Sequence, residues 1–192
     1  MFKDYSISDY NKILASDKPA PGGGSALAIV ASQACSLVTM AANVTLKKFG
    51  EQFDYAPQLT SCVKTMTLCQ NTLYRFADED AAAFERILQA MRLPKDTDEQ
   101  TKQRKAELQK QYHKAALVPL ETMQLCTKAI SCAQSVLPYL YKYVASDCEI
   151  GISLLQTAVK NNLHNVIANT AMIADEDLKR RLESQAHALC GN

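Results

Sequence analysis

Apolar residues recur at helical spacing through the middle of the chain, from position 59 to position 91. Steps of three and four residues place these side chains on one face of a helix of about nine turns. The residues on this face are Leu59, Cys62, Val63, Met66, Cys69, Leu73, Phe76, Ala77, Asp80, Phe84, Ile87, Leu88 and Met91. No segment of the sequence alternates apolar and polar residues as a half-buried strand would. An all-α fold is therefore predicted.

Further helices are predicted at residues 6–16, 26–48, 98–143, 147–172 and 175–189. Serine or aspartate is the first residue of four of these segments, and such residues cap helix N-termini. Two prolines, Pro119 and Pro138, are expected to kink or divide the segment 98–143. The prediction is an antiparallel bundle of four to five long helices plus short terminal helices, forming a single domain of residues 1–192.

The helix at residues 26–48 is apolar on almost every face and rich in alanine and serine. Its length approaches that of a membrane span, but polar residues interrupt it and the chain has no tryptophan for an interfacial belt. A central helix of the bundle is therefore predicted, with no membrane partner. Its small residues also favour close contact with a helix of a second subunit, which predicts a homodimer.

A loop rich in proline and glycine, Pro-Ala-Pro-Gly-Gly-Gly-Ser at residues 19–25, precedes this apolar helix. Ser25 is predicted to be the N-cap of the helix, because its hydroxyl could accept from free N–H groups of the first turn. Exposed N–H groups at a helix N-terminus can hold a carboxylate, a phosphate or an electron-rich heteroatom. The alternative is a tight turn that only lets two helices meet.

Asp80 lies on the apolar face of its helix, so its carboxylate is predicted to point inward. A buried carboxylate must be paired, hydrogen-bonded or protonated, and it serves either structure or catalysis. Asp78 and Glu79 fall further round the helix and are expected to be solvated.

Three asparagines, Asn162, Asn165 and Asn169, share a face of the helix predicted at 147–172. Such a face suits an interhelical hydrogen-bond network or a polar ligand equally well. Antiparallel topology places Asn165, Asn169, Asp80 and residues 22–25 at one end of the bundle. Asn43 and Asp147 are expected at the other end.

Composition argues against several other classes of protein. Twenty-one lysines and arginines balance 20 aspartates and glutamates, which gives no basic surface for nucleic acid. The seven cysteines form no Cys-x-x-Cys pair and the three histidines are scattered, so no metal site is expected. The odd cysteine count and the lack of a signal peptide favour reduced thiols and a cytoplasmic location.

Six short motifs, taken together, resemble the cyclodeaminase/cyclohydrolase family. This family includes the deaminase domain of formiminotransferase-cyclodeaminase and stand-alone methenyltetrahydrofolate cyclohydrolases. The matching segments lie at residues 19–25, 78–84, 91–95, 118–120, 146–147 and 165–169. They cover nearly the whole chain in the order and spacing of the family. One departure is Thr45-Leu46-Lys47-Lys48, where relatives often have a glycine before paired basic residues.

The resemblance implies an all-helical homodimer that acts on tetrahydrofolate one-carbon derivatives without a metal or redox cofactor. A cyclodeaminase converts 5-formiminotetrahydrofolate into 5,10-methenyltetrahydrofolate and releases ammonia. A cyclohydrolase adds water to the methenyl bridge and forms 10-formyltetrahydrofolate. The cyclodeaminase is favoured, because residues 78–84 and 91–95 look most like the domain of the bifunctional enzyme. A fused transferase domain is not expected.

Either reaction needs a proton donor and acceptor, and Asp80 fits this catalytic role. Several residues are predicted to bind the substrate, whether the folate is free or polyglutamylated. They are Gly22, Gly23, Gly24, Ser25, Asn165 and Asn169 for the pterin and the one-carbon bridge, and Lys47, Lys48 and Lys95 for the glutamate tail. The competing hypothesis is a non-catalytic folate-binding or scaffold protein with the same helical fold.

Overall fold

The computed structural model describes residues 1–191, which form six α-helices and no strands. A short 3₁₀ turn at Phe2–Asp4 precedes the first helix, and a second one at Leu137–Tyr139 follows the fourth. The helices are α1 (Ile7–Leu14), α2 (Gly23–Phe49), α3 (Ala56–Met91), α4 (Asp98–Val136), α5 (Ala145–Thr170) and α6 (Glu176–Cys190). The prediction of an all-α bundle with four to five long helices and shorter terminal ones is confirmed.

The four long helices enclose one apolar core. Helix α2 packs against α3 and α5, and α4 packs against the same two helices from the other side. Leu59, Met66 and Leu73 of α3 are completely buried between them, with Met123 of α4 and Leu155 of α5. Burial of large apolar side chains at this helical spacing explains why the pattern in the sequence predicts the fold.

Helix α2 begins at Gly23, with Gly22 as its N-cap, so the prediction that Ser25 caps it is wrong. Ser25 is the third residue of the helix, and its N–H has no carbonyl partner within the helix. Asp80 of α3 accepts this N–H at 2.9 Å. A carboxylate from a neighbouring helix therefore replaces the side-chain acceptor that an N-cap residue usually supplies.

The boundaries of α4 and α5 also differ from the predicted ones. Helix α5 begins at Ala145 after Val144, so Ser146 and Asp147 lie in its first turn and do not cap it. Helix α4 runs through Pro119 without a break, whereas Pro138 lies in the 3₁₀ turn that follows the helix. Of the two effects predicted for Pro119, a kink or a division of the helix, the division does not occur.

The physical reason lies in the backbone carbonyl that Pro119 leaves without a partner. Proline has no N–H, so the carbonyl oxygen of Ala115, four residues earlier, loses its helical hydrogen bond. The side-chain Nδ2 of Asn169 donates to this oxygen at 3.0 Å from helix α5. A neighbouring amide thus satisfies the carbonyl at the point where the helix would otherwise be weakest.

Helix α2 keeps an incompletely covered apolar surface. By length and composition it is the one helix of the described chain that could cross a membrane, with a mean hydropathy of 1.6 over its best window. Half of that window is buried inside the bundle. Met40 and Val44, four residues apart on the same face, remain 36% exposed.

Candidate active site

A cavity of about 150 Å³ lies where the N-terminus of α2 meets α3, α4 and α5. As the antiparallel topology predicts, the glycines, the aspartate and two of the asparagines meet at this end of the bundle. The predicted residues that line the cavity are Gly22, Gly23, Gly24, Asp80, Asn165 and Asn169. Phe84 lies on the apolar face of α3 and was expected to be buried. It is instead 40% exposed and forms part of the cavity wall.

Asp80 contributes the one charged side chain among the residues that line this cavity. Helix α3 continues for 11 residues beyond it to Met91, about three turns. Burial raises the pKa of the Asp80 carboxyl above its ordinary value, and the hydrogen bond from the Ser25 N–H opposes that rise. Because burial is the larger effect, the carboxyl holds its proton to a higher pH than an exposed aspartate does.

Gly24 has to be a glycine because the Asp80 carboxylate occupies the space of a side chain. A Cβ atom at position 24 would lie 2.2 Å from Oδ1 and 2.8 Å from Oδ2 of Asp80. A Cβ atom at Gly23 would meet only Asn165 Oδ1, at 4.0 Å. Two adjacent glycines therefore differ: Gly24 admits the carboxylate to the helix terminus, and Gly23 leaves the floor of the cavity open.

Ser25 contacts the site through its backbone, while its side chain points elsewhere. The residue is completely buried, and its Oγ lies 3.0 Å from the hydroxyl of Tyr10 on α1. Ser25 was predicted to bind the substrate, but it does not line the cavity, and it meets the site only through its N–H, which Asp80 accepts. Sequence analysis missed Tyr10. The available signal was that Tyr10 shares a face of the short helix with Ile13 and Leu14, at steps of three and four residues, which indicates a buried contact.

The asparagine face forms a network with fixed amide orientations. Asn162 is buried, donates to Ala158 O of its own helix at 3.0 Å, and accepts from Asn165 Nδ2 at 3.1 Å. Asn169 Nδ2 donates to Ala115 O, as described above. Asn165 and Asn169 each use one amide N–H in these bonds, so each offers a ligand its carbonyl oxygen and its second N–H.

Asp78 is not solvated, contrary to the expectation from its place on the helix. It is half-buried, and its Oδ1 accepts the backbone N–H of Phe2 at 2.7 Å. The N-terminal 3₁₀ turn folds over this part of α3 and covers it. Glu79 is exposed, as predicted, and pairs with Arg86.

The three lysines predicted to hold a glutamate tail do not line the cavity. Lys47 lies 23 residues along α2 from Gly24, about 35 Å away. Lys48 lies beside it, 5.7 Å from the ring centre of Tyr141. Lys95 is exposed in the loop between α3 and α4.

The opposite end of the bundle is identified by a contact between α2 and the segment before α5. The backbone N–H of Tyr141 donates to Thr45 Oγ1 at 3.0 Å. This contact places Asn43 near the beginning of α5, where Asp147 lies, as predicted. Neither residue can reach the cavity within one chain.

Within residues 1–191, no group of three histidine, cysteine, aspartate or glutamate side chains is placed to hold a metal ion. The seven cysteines are free, and five of them are buried. The groups that the described residues offer at the cavity are one carboxyl group, two side-chain amides and the free N–H groups of a helix N-terminus.

Comparisons of the sequence and of the structure with known proteins point to the same family. The family model for formiminotransferase-cyclodeaminase matches residues 6–188. A methenyltetrahydrofolate cyclohydrolase from Methylorubrum extorquens is 30% identical over 84% of this chain and 77% of its own length. The solved structure of a formiminotetrahydrofolate cyclodeaminase from Thermotoga maritima superposes with a TM-score of 0.87 at 25% identity, covering 98% of this chain and 90% of that one.

Larger relatives contain the same region as one part of a longer protein. The formimidoyltransferase-cyclodeaminase of Mus musculus is 26% identical over 97% of this chain, which spans 34% of the mouse protein. The family model covers nearly all of the sequence, and the relatives with which it aligns are folate one-carbon enzymes. The chain belongs to the formiminotransferase-cyclodeaminase family of enzymes.

Proposed function

We propose that the protein catalyses the cyclodeamination of 5-formiminotetrahydrofolate to 5,10-methenyltetrahydrofolate with release of ammonia. The observation that carries the proposal is the Asp80 carboxyl, half-buried beside the N-terminus of α2 and facing a cavity with no other charged residue in its walls. Burial raises the pKa of this carboxyl above that of an exposed aspartate, which suits a group that both gives and takes a proton during the reaction.

The reaction requires proton transfer at two nitrogen atoms. The formimino group reacts in its protonated form. N10 of the folate attacks its carbon, which becomes tetrahedral and carries N5, N10 and the departing nitrogen. Asp80 takes the proton from N10 and delivers a proton to the departing nitrogen, so that ammonia leaves and the carbon forms the methenyl bridge. One carboxyl group can serve both steps because the two nitrogens are bonded to the same carbon.

The remaining groups of the cavity orient the substrate. The carbonyl oxygens of Asn165 and Asn169 can accept N–H groups of a pterin ring, and their amides are already held in place. The N–H groups of Gly23 and Gly24, in the first turn of α2, favour an electron-rich atom of the ligand. The chemistry changes no oxidation state, so the proposed reaction needs no redox cofactor.

A second subunit is proposed to complete the site. The cavity of about 150 Å³ is smaller than the roughly 300–1,000 Å³ typical of pockets for ligands of this size. One chain therefore encloses the reacting end of a folate and leaves the rest uncovered. Lys47 and Lys48 stay candidates for the glutamate tail only if they come from the other subunit, because of their distance along α2.

We expect the protein to be a homodimer in solution. The half-exposed face of α2 around Met40 and Val44 is apolar, and its burial against a second copy would remove that surface from water. Light scattering at low micromolar concentration should give twice the chain mass of 21.2 kDa. A monomer under these conditions would contradict the prediction and leave the small cavity as the complete site.

The cyclohydrolase reaction is the second candidate, and the 30% identity with the Methylorubrum extorquens enzyme favours it. In this reaction water attacks the methenyl carbon, and Asp80 would remove the proton from that water. The same carboxyl then protonates the nitrogen that leaves when the bridge opens to 10-formyltetrahydrofolate. The two reactions pass through related tetrahedral carbons, so one site could serve either of them.

Turnover of the two folates by the purified protein distinguishes the candidates. A cyclodeaminase should release ammonia from 5-formiminotetrahydrofolate while the near-ultraviolet band of the methenyl product appears. A cyclohydrolase should remove that band from added methenyltetrahydrofolate faster than spontaneous hydrolysis does. Asp80→Asn protein is the matched control in both assays. Folate binding without turnover of either compound would support the non-catalytic alternative instead.

A further inference from the structure

A hydrogen-bonded chain links helix α1 to the carboxyl group of the candidate site. Tyr10, the one buried residue of α1, places its hydroxyl 3.0 Å from Ser25 Oγ. The N–H of Ser25 lies 2.9 Å from Asp80 Oδ2. Tyr10 itself does not line the cavity, and its hydrogen-bonded connection to the site runs through Ser25.

Helix α3 also holds the N-terminal segment in place. Asp78, two residues before Asp80, accepts the backbone N–H of Phe2 at 2.7 Å. The Phe2 ring packs edge-on against Tyr10, with ring centres 5.3 Å apart. The helix that carries the candidate catalytic group therefore anchors the segment that carries Tyr10.

We propose that Tyr10 is a positioning residue, which holds Ser25 so that the Ser25 N–H stays directed at the Asp80 carboxylate. Its effect on turnover rests on the function proposed above, whereas its effect on the ionisation of Asp80 does not. Burial raises the pKa of Tyr10, so its hydroxyl stays protonated at neutral pH and remains available as a donor.

The physical argument concerns what Ser25 does when its partner is lost. Ser25 is completely buried, and its Oγ is hydrogen-bonded to the Tyr10 hydroxyl. Without the Tyr10 hydroxyl, an unpaired buried oxygen would be costly, and the serine would turn toward a helix carbonyl instead. Such a bond bends the first turn of α2 and moves the Ser25 N–H away from Asp80, so the charged form of the carboxyl loses a donor that stabilises it. Asp80 would then keep its proton to a higher pH.

Few other charges act on Asp80. From α1 the titratable group is Tyr10, and on α3 itself the neighbours are Asp78 and Glu79. Helices α2, α4 and α5 contribute no charged residue to the cavity wall, where the polar side chains from α5 are the amides of Asn165 and Asn169. A change at Tyr10 is therefore the cleanest way to alter the environment of Asp80 without entering the cavity.

The test is the Tyr10→Phe variant of the full chain, which removes one hydroxyl and keeps the ring. Aspartate carboxyl carbons are labelled with ¹³C and titrated by NMR, and Asp80→Asn protein identifies the Asp80 signal. We expect Asp80 in Tyr10→Phe to titrate at higher pH than in wild type. The limb of the pH–rate profile that reports the ionisation of Asp80 should also move to higher pH. We expect kcat to fall by about 3- to 10-fold, with KM little changed.

Two further variants distinguish the positioning of Ser25 by Tyr10 from a general loosening of the N-terminal segment. Tyr5→Phe removes a hydroxyl from the same segment, at a residue that contacts Phe2 and not Ser25, and should titrate as wild type. Adding Tyr10→Phe to Ser25→Ala should leave the Asp80 titration of Ser25→Ala unchanged, because the hydroxyl that Tyr10 holds is no longer present.

Two results would overturn the proposal. One is an Asp80 titration in folded Tyr10→Phe that coincides with wild type, and the other is an equal shift in Tyr5→Phe. A wild-type protein that turns over neither folate, yet shows the Asp80 shift in Tyr10→Phe, would refute the proposed function and support the positioning role.

Discussion

Replacing Asp80 by asparagine should lower turnover by about 10²- to 10⁴-fold, the usual contribution of a general acid–base group. Asparagine keeps the size of the side chain, and its oxygen can still accept the Ser25 N–H that meets Asp80 at 2.9 Å. It cannot exchange a proton with the substrate. Folate binding should therefore survive in Asp80→Asn while kcat falls, which steady-state kinetics and a direct binding measurement can show.

The stability of Asp80→Asn distinguishes a catalytic carboxylate from a structural one. Burial raises the pKa of Asp80 in the folded protein, so the folded state binds more protons than the unfolded state between the ordinary and the raised pKa. Stability from this group therefore falls as pH rises through that window. At neutral pH the variant should melt at or above the wild-type temperature, whereas loss of a structural carboxylate would lower it.

Glu79→Gln is the matched control, because Glu79 is exposed on the same helix and pairs with Arg86 away from the cavity. It should retain wild-type turnover. If folded Asp80→Asn kept near-normal turnover, the proton would have to be carried by another group, such as a water molecule held at the N-terminus of α2.

Gly24→Ala should reduce turnover as strongly as the loss of Asp80 itself. The added Cβ atom would fall 2.2 Å from Asp80 Oδ1, so the carboxylate would have to leave its position and its hydrogen bond with Ser25. Alanine is otherwise favoured over glycine within a helix by about 1 kcal/mol, which helps to preserve the fold. Circular dichroism and melting should therefore show a folded protein whose kcat has dropped by about 10²-fold or more.

Gly23→Ala tests whether the loss at position 24 has the proposed cause. Its Cβ atom would make an ordinary contact, 4.0 Å from Asn165 Oδ1, and would leave Asp80 in place. The expected loss of turnover is much smaller than that of Gly24→Ala. Equal losses in the two variants would mean that crowding of the loop, and not displacement of the carboxylate, controls the activity.

The sequence was sufficient to predict the bundle and the meeting of its distant motifs. Helical periodicity identifies the buried face of α3, and antiparallel connection fixes which ends of α2, α3 and α5 lie together. These two local rules bring Gly23, Asp80 and Asn165 to one cavity, as the structure has it. Knowledge of contacts between distant residues was not needed, because each of the long helices α2 to α5 reverses direction relative to the one before it.

The details that failed depend on contacts between helices. The start of α2 was misplaced because its acceptor comes from Asp80, 55 residues away from Ser25, and not from a local side chain. Asp78 was predicted to be solvated because helical periodicity says nothing about an N-terminal turn folding over it. Local capping rules and periodicity describe one helix at a time, so they miss partners supplied by another.

The hydrogen bond between Asn169 and the carbonyl of Ala115, where Pro119 interrupts the helix, has an evolutionary consequence. Loss of Asn169 alone would leave the carbonyl oxygen of Ala115 without a hydrogen bond, which would lower the free energy of unfolding by about 1–3 kcal/mol. Exchange of Pro119 for a residue with an N–H would restore the helical bond and free the asparagine from this duty. As far as stability is concerned, Pro119 can therefore change before Asn169. The reverse order passes through a less stable intermediate.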